Sequence, residues 1–131
     1  MSISTSRVAM QEAFSDYWAA RTPVAWDNVK FKIDDQEFVR FSVQFSRGTQ
    51  QTLGGTSNRT FRHFGVVIVQ IFTKPNENSS TSDGYVQDVL DHFVTNVTGV
   101  TYRNPSVNTI GIFNGYYQQN VSVEFFIDQI K

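Results

Sequence analysis

Chemistry in this chain has few parts to draw on: two histidines, His63 and His92, no cysteine, 11 Lys/Arg and 12 Asp/Glu. Asp88 and His92 stand one turn apart in a helical pattern, a spacing that puts both on one face and would supply two ligands to a divalent metal. The neighbouring sequence offers no third ligand, and the ordinary reading is an exposed polar pair on a solvated helix side. No metal and no cofactor is expected. His63 lies between Arg62 and Phe64 at the entry to an apolar run; a surface or interface role suits it. There is no Gly-x-Ser-x-Gly elbow, and a serine nucleophile would have to recruit one of only two imidazoles. The stretch "GTQQTLGGTSNRT" has the glycines of a phosphate loop without its lysine, and Gly54-Gly55 lacks the dinucleotide spacing. The chain therefore reads as a non-enzyme.

One stretch does gather functional side chains. Residues 46–65, "SRGTQQTLGGTSNRTFRHFG", carry Arg47, Arg59, Arg62 and His63 and no acid. A compact domain seldom keeps a connection beyond ~12–15 residues without secondary structure unless it works or is disordered, so residues 46–63 are read as an arm or long loop. Charge is uneven around it. Residues 38–76 hold five Lys/Arg and no acid, whereas residues 77–131 hold six acids and two bases. A subunit with one positive and one negative flank is able to meet copies of itself head to tail, with Asp88 and Asp91 as acids for Arg47, Arg59 and Arg62 of a neighbour. "NRTFRHF" also interleaves arginines with aromatics, as phosphate contact and base stacking require. A net charge of −1 and the lack of a reading motif leave DNA as a non-specific contact at most. Twelve Phe, five Tyr and two Trp favour protein partners, since aromatics and arginine are enriched at interface centres.

The elements that would position these residues follow from periodicity. Over residues 5–21, Met10, Phe14, Tyr17 and Trp18 share a helical face, and Thr22-Pro23 stops the helix. A short edge strand or extended segment is expected near residues 29–33. "EFVRFSVQF", residues 37–45, alternates as a strand with one wet face. "FRHFGVVIVQIF" is apolar on both faces from Val66 to Ile71 and reads as a covered strand. Residues 85–97 carry a helical stripe of Val86, Val89, Leu90, Phe93 and Val97, with Ser82 or Asp83 as cap and Gly99 as the terminating residue. Residues 100–103 read as a short strand ended by Asn104-Pro105. "TIGIF" and "YYQQNVSVEFFID" form a hairpin around Asn114-Gly115, the pair suited to a two-residue turn. The expectation is a single α+β domain spanning 1–131, two helices on a mostly antiparallel sheet. The first residues lack the features of an export signal, and the longest apolar run falls far short of the ~20 residues that cross a bilayer, so no membrane contact is expected.

In this order, "RTPVAWDNVKF", the wet-faced strand, the polar excursion, "RHFGVVIVQIFTKP", "VQDVLDHF" and "NGYYQQNVSVEFF" resemble the tail terminator (tail-completion) proteins of long-tailed bacteriophages, over residues 7 to 127. Pro23, Trp26, Asn28, Gly65, Gly115 and Tyr117 belong to that pattern; "NENSSTSDG" departs from it, being longer and serine-rich. The resemblance implies an α+β virion protein, made in the host cytoplasm, that forms a ring, usually a hexamer, on the head-proximal end of the tail tube. There it ends tube polymerisation and offers a head-docking surface. Its partners would be copies of itself, the tail tube protein, a head–tail connector protein and the DNA in the lumen; no enzyme activity and no cofactor are implied. The arm would order against a neighbouring subunit, the tube or that DNA. The alternatives are a head–tail joining or tail tube subunit and, from a different class, a small α+β ligand-binding or enzyme domain.

Overall fold

Met10, Phe14 and Trp18 recur at four-residue intervals and wind onto one face of a helix, α1 (Ile3–Trp18), where all three are fully buried. Ser2 caps it, its hydroxyl accepting the Thr5 N–H at 3.0 Å. At the far end the Arg21 guanidinium donates to the Tyr17 and Trp18 carbonyls, answering orphan acceptors where the helix dipole is negative. Trp18 Nε1 donates to Thr22 Oγ1 at 2.9 Å, tying the helix to the residue that Pro23 forces out of the α region.

The computed structural model describes residues 2–18, 21–27, 29, 37–50, 60–75, 80–94, 99–113 and 115–130. After α1 come β1 (Val24–Trp26), β2 (Phe38–Gln50), β3 (Thr60–Thr73), α2 (Ser80–Val94), β4 (Val100–Phe113) and β5 (Tyr116–Ile130). The strands form one sheet in the order β1-β2-β3-β5-β4, parallel at β1–β2 and antiparallel elsewhere. Both helices lie on one face. Phe14 stacks on Phe41 of β2 with centroids 4.8 Å apart and meets His92 of α2 edge-on at 5.4 Å. Alternate residues of the strands (Val39, Phe41 and Val43; Val67, Val69 and Ile71; Val121, Val123, Phe125 and Ile127) point into this layer and are buried. The architecture is the expected α+β one.

Several local expectations change. Residues 46–50 and 60–63, expected in an arm or long loop, continue β2 and β3 and pair with each other, Thr49 opposite Arg62 and Gln50 opposite Phe61; residues 51–59 of the arm, with Arg59, lie outside the described residues. The sequence hid these strands because the helices do not reach this end of the sheet, so both faces are wet and no alternation is written into the residues. β4 runs straight past Asn104-Pro105. A bulge between Arg103 and Ser106 and a left-handed Asn104 (φ 54°) absorb the proline, which an edge strand tolerates. The first strand is Val24–Trp26, inside "VAW"; the one expected over residues 29–33 falls almost wholly outside the described residues, as does Asn28. α2 begins at Ser80, so Ser82 and Asp83 sit within its first turn, where both accept hydrogen bonds from Gln119 Nε2, at 2.7 and 2.9 Å. Gly99, at φ 84°, precedes β4 directly.

Two glycines are dictated by geometry. Gly115, at φ 81°, makes the two-residue link between the paired Phe113 and Tyr116. Gly65 is required by contact: a Cβ there would stand 2.3 Å from the Gln44 carbonyl oxygen and 2.6 Å from the Phe125 ring. Gly84, within α2, has nothing within 4 Å of such an atom. Gly65→Ala is expected to destabilise the domain by about 1–3 kcal/mol, and Gly84→Ala to stabilise it by roughly 0.5–1 kcal/mol. Urea midpoints of the two variants should move in opposite directions from the parent.

Candidate interaction surface

The face of the sheet away from the helices carries the second set of alternating side chains. Beyond Phe45 the β2 register slips by one residue at Ser46. That bulge turns Arg47 onto the open face, where its guanidinium carbon lies 4.8 Å from the Phe64 ring centroid. Phe64 neighbours Phe126 of β5 at 6.1 Å. Two more arginines converge on the Phe126 ring, Arg62 at 4.1 Å and Arg103 of β4 at 4.8 Å. Each such stacking contributes about 0.5–1 kcal/mol at an exposed site. A groove of about 460 Å³ opens beside them, lined by Ser46, Arg47, Phe64, Gly65, Val66, Glu124 and Phe125.

Charge on this face is partly compensated from within. Arg62 grips Asp128 in a two-pronged pair, Nε to Oδ1 at 2.9 Å and Nη2 to Oδ2 at 3.2 Å. That hydrogen bonding holds the Asp128 carboxyl below its ordinary range and raises the guanidinium. Glu124 accepts from Asn104 Nδ2 at 3.1 Å. His63 points to the other face, beyond the helices, with Nε2 3.1 Å from Gln129 Oε1.

Asp88 and Asp91 stand on α2 instead, in the layer that covers the opposite face. Asp88 pairs with Arg21 at 3.4 Å, and Asp91 Oδ1 accepts from Gln87 Nε2 at 2.8 Å. Of the residues singled out in sequence, Arg47 and Arg62 thus lie together on the open face, His63 lies beside them on the reverse, and Asp88 and Asp91 lie across the molecule. Arg62 and Asp88 are already engaged within their own chain. Arg103 and Phe126 went unnoticed because they meet only through the β4–β5 pairing; the one hint was that Arg103 shares a polar alternation with Thr101.

His92 corrects an expectation. It is 3 % exposed rather than solvated, with its ring 5.4 Å from Phe14, 4.9 Å from Tyr17 and 5.2 Å from Phe93. It belongs to the core, and among the described residues no group of three His, Asp or Glu is placed to hold a metal. Trp26 packs on Phe41 at 5.6 Å, and the carbonyls of Pro23 and Tyr117 accept from the Val39 N–H and the Thr73 hydroxyl.

Burial pushes the His92 imidazole down to about 4. The unfolded chain takes up this proton below about pH 6.5, while the native protein refuses it until about pH 4, so stability falls as the pH drops through that window. The His92 share of the loss is on the order of 2 kcal/mol at pH 4.5. In His92→Leu the drop in unfolding free energy between pH 7 and pH 4.5, measured by urea titration, should shrink by that amount.

Fold and surface define a class first: a two-layer α+β domain that shields one face of its sheet and leaves the other, studded with arginine and phenylalanine, for contact. Among the described residues no helix is long and apolar enough to cross a membrane. The sequence model of the phage tail terminator protein family matches residues 6–125, and the chain belongs to that family. It is accordingly a structural protein of phage tail completion that works with other tail components. A solved structure 21% identical to it superposes with a TM-score of 0.73, covering 100% of this chain and 98% of that one; the likeness speaks for the fold. No curated protein matches the sequence.

Proposed function

We propose that this protein is a virion component that forms a ring, a hexamer by family resemblance, on the head-proximal end of the tail tube. The ring stops tube polymerisation and presents the surface to which the head connector docks; DNA passing through the lumen touches it without sequence preference. The observation that supports this reading, within a tail terminator family, is the placement of opposite charges on opposite layers. Arg47 sits on the open sheet face, and Asp91 with Asp88 sits on the helix side. A patch of one sign on one flank and of the other sign on the opposite flank makes a heterologous contact, the kind that closes rings.

Arg47 and Asp91 are the leading pair, because Arg62 and Asp88 already hold ion pairs inside the subunit. Arg59, from the arm, and His63, from the reverse face, would add separate contacts to a neighbour or the tube. Phage lacking the protein should assemble overlong, headless tails, seen by electron microscopy; filled heads that leak DNA would point instead to a head–tail joining protein. Arg47→Glu and Asp91→Lys should each fail to cap tails while remaining folded, the urea midpoint of Arg47→Glu falling by no more than the lost stacking on Phe64 explains, and the double exchange should restore capping. Normal tail lengths from both single variants would refute the charge contact.

A further inference from the structure

The sheet finishes differently at its two edges. β1 covers β2 only at residues 39–41. Just beyond it, Asp27 Oδ2 accepts the Val43 N–H at 2.9 Å and Arg7 donates to the Val43 carbonyl at 3.0 Å. From residue 44 to 50 no described strand lies outside β2. At the far edge, β4 pairs with β5 along one side alone. Residues 106–113, "SVNTIGIF", contain no charged side chain, and Val107, Ile110, Ile112 and Phe113 are 45% to 63% exposed. Edge strands are ordinarily blunted by charge, proline or brevity. Here bulges on either side confine the regular run to residues 106–109, which still offers unpaired backbone donors and acceptors.

Three antiparallel pairings separate β2 from β4, so the two strands run in opposite directions. Copies placed side by side with their sheets continuing in the same sense bring β4 of one antiparallel to β2 of the next, the more stable sense of pairing. We propose that β4 lies along the outer edge of β2 in a second copy of this chain, Asn108 level with Gln44 and residues 106–108 against Gln44 onward, so that the sheet continues from subunit to subunit. The proposal rests on the ring reading above; because a continuous sheet keeps the open faces of neighbours on one side, this edge pairing is an alternative to the Arg47–Asp91 contact as the join between subunits.

The position of β1 sets the stagger. Within one sheet Asn108 is level with Arg40, through Asn120 and Gln70. In the partner that level is occupied by β1, and Val43 is bonded to Asp27 and Arg7, so the first residue with no cover among the described residues is Gln44, four residues further along. Four residues are about 13 Å of strand, and the strands β2, β3, β5 and β4 together span about 19 Å. The strands then tilt by about 35° to the axis of the assembly, inside the ~35–45° of closed sheets. Pairing of β4 with a second β4 would be isologous and would end at two copies. An edge pair this short buries well under the ~1,200 Å² of a stable interface. One contact alone is therefore weak, and closing the circle, which makes the last contact intramolecular, supplies the remainder.

The absence of native cysteine makes introduced thiols unambiguous reporters, and Gln44 and Asn108 are both exposed. Gln44→Cys mixed with Asn108→Cys on tail tubes, then treated with a bismaleimide spanning about 8 Å, the reach of diagonal cross-strand neighbours, should give a mixed dimer. The double variant should give a ladder, and neither single variant should crosslink alone. Self-crosslinking of Asn108→Cys overturns the proposal. Multimers detected by native mass without any 44–108 crosslink overturn the edge contact and leave the ring standing, whereas a monomer even on tubes overturns both. Independently, Val107→Lys should weaken self-association about tenfold at an unchanged urea midpoint; unchanged association counts against the edge contact.

Discussion

The strands are longer than the helices that cover them. α1 and α2, of 16 and 15 residues, each reach about 24 Å at ~1.5 Å per residue, whereas β3 and β5, of 14 and 15 residues, reach roughly 45–50 Å at ~3.3 Å per residue. One end of the sheet therefore stands clear of the core, and whatever holds it must do so without a hydrophobic layer. The protein does this with bonds that tolerate water: the Arg62–Asp128 pair, the contact of His63 with Gln129, and arginines stacked on Phe64 and Phe126. Each is weak alone. Together they lie along two continuous backbone ladders, β2–β3 and β3–β5, which carry the overhang as one body.

Two local devices shape that overhang. The bulge at Ser46 changes the face on which Arg47 emerges, and without it the arginine would fall on the same side as Phe45 and the helices. Gly65, one residue after Phe64, lets Phe125 and the Gln44 backbone close up at the same level, which fixes where the bulge sits. At the β1 edge, Asp27 and Arg7 satisfy the N–H and C=O of Val43 where β1 stops, which carries the cover of β2 two residues past its three-residue partner. Beneath these features the core is aromatic: Phe14 touches Trp18, Trp26, Phe41 and His92. Burying an imidazole among these rings disfavours its charged form.

For a tail-completing protein the arrangement has a mechanical logic. The described structure offers extended, rigid surfaces in place of a catalytic constellation. Its charged groups are divided between two layers, and the sheet edge at β4 is left with its backbone unpaired on one side. In the proposed ring, contacts that are individually weak become strong by repetition around a closed path.

Much of the fold is legible locally. Met10, Phe14 and Trp18 declare α1, the stripe from Val86 to Phe93 declares α2, and the alternation of Val39, Phe41 and Val43 declares the buried face of β2. In each case burial on one side is written directly into residue spacing. The family too is legible in the order of these pieces. What the sequence cannot express is anything decided between residues far apart in the chain. Residues 46–50 and 60–63 carry no alternation because the helices cover neither of their faces, yet they are strands, held by backbone pairing that any sequence can make. His92 looks solvated beside Asp88 and Asp91, but α1 packs over it. Arg103 and Phe126 are unrelated until β4 lies beside β5. Periodicity records which side of an element is dry; which element lies against which is settled only when the chain closes on itself, because that choice depends on contacts no local window contains.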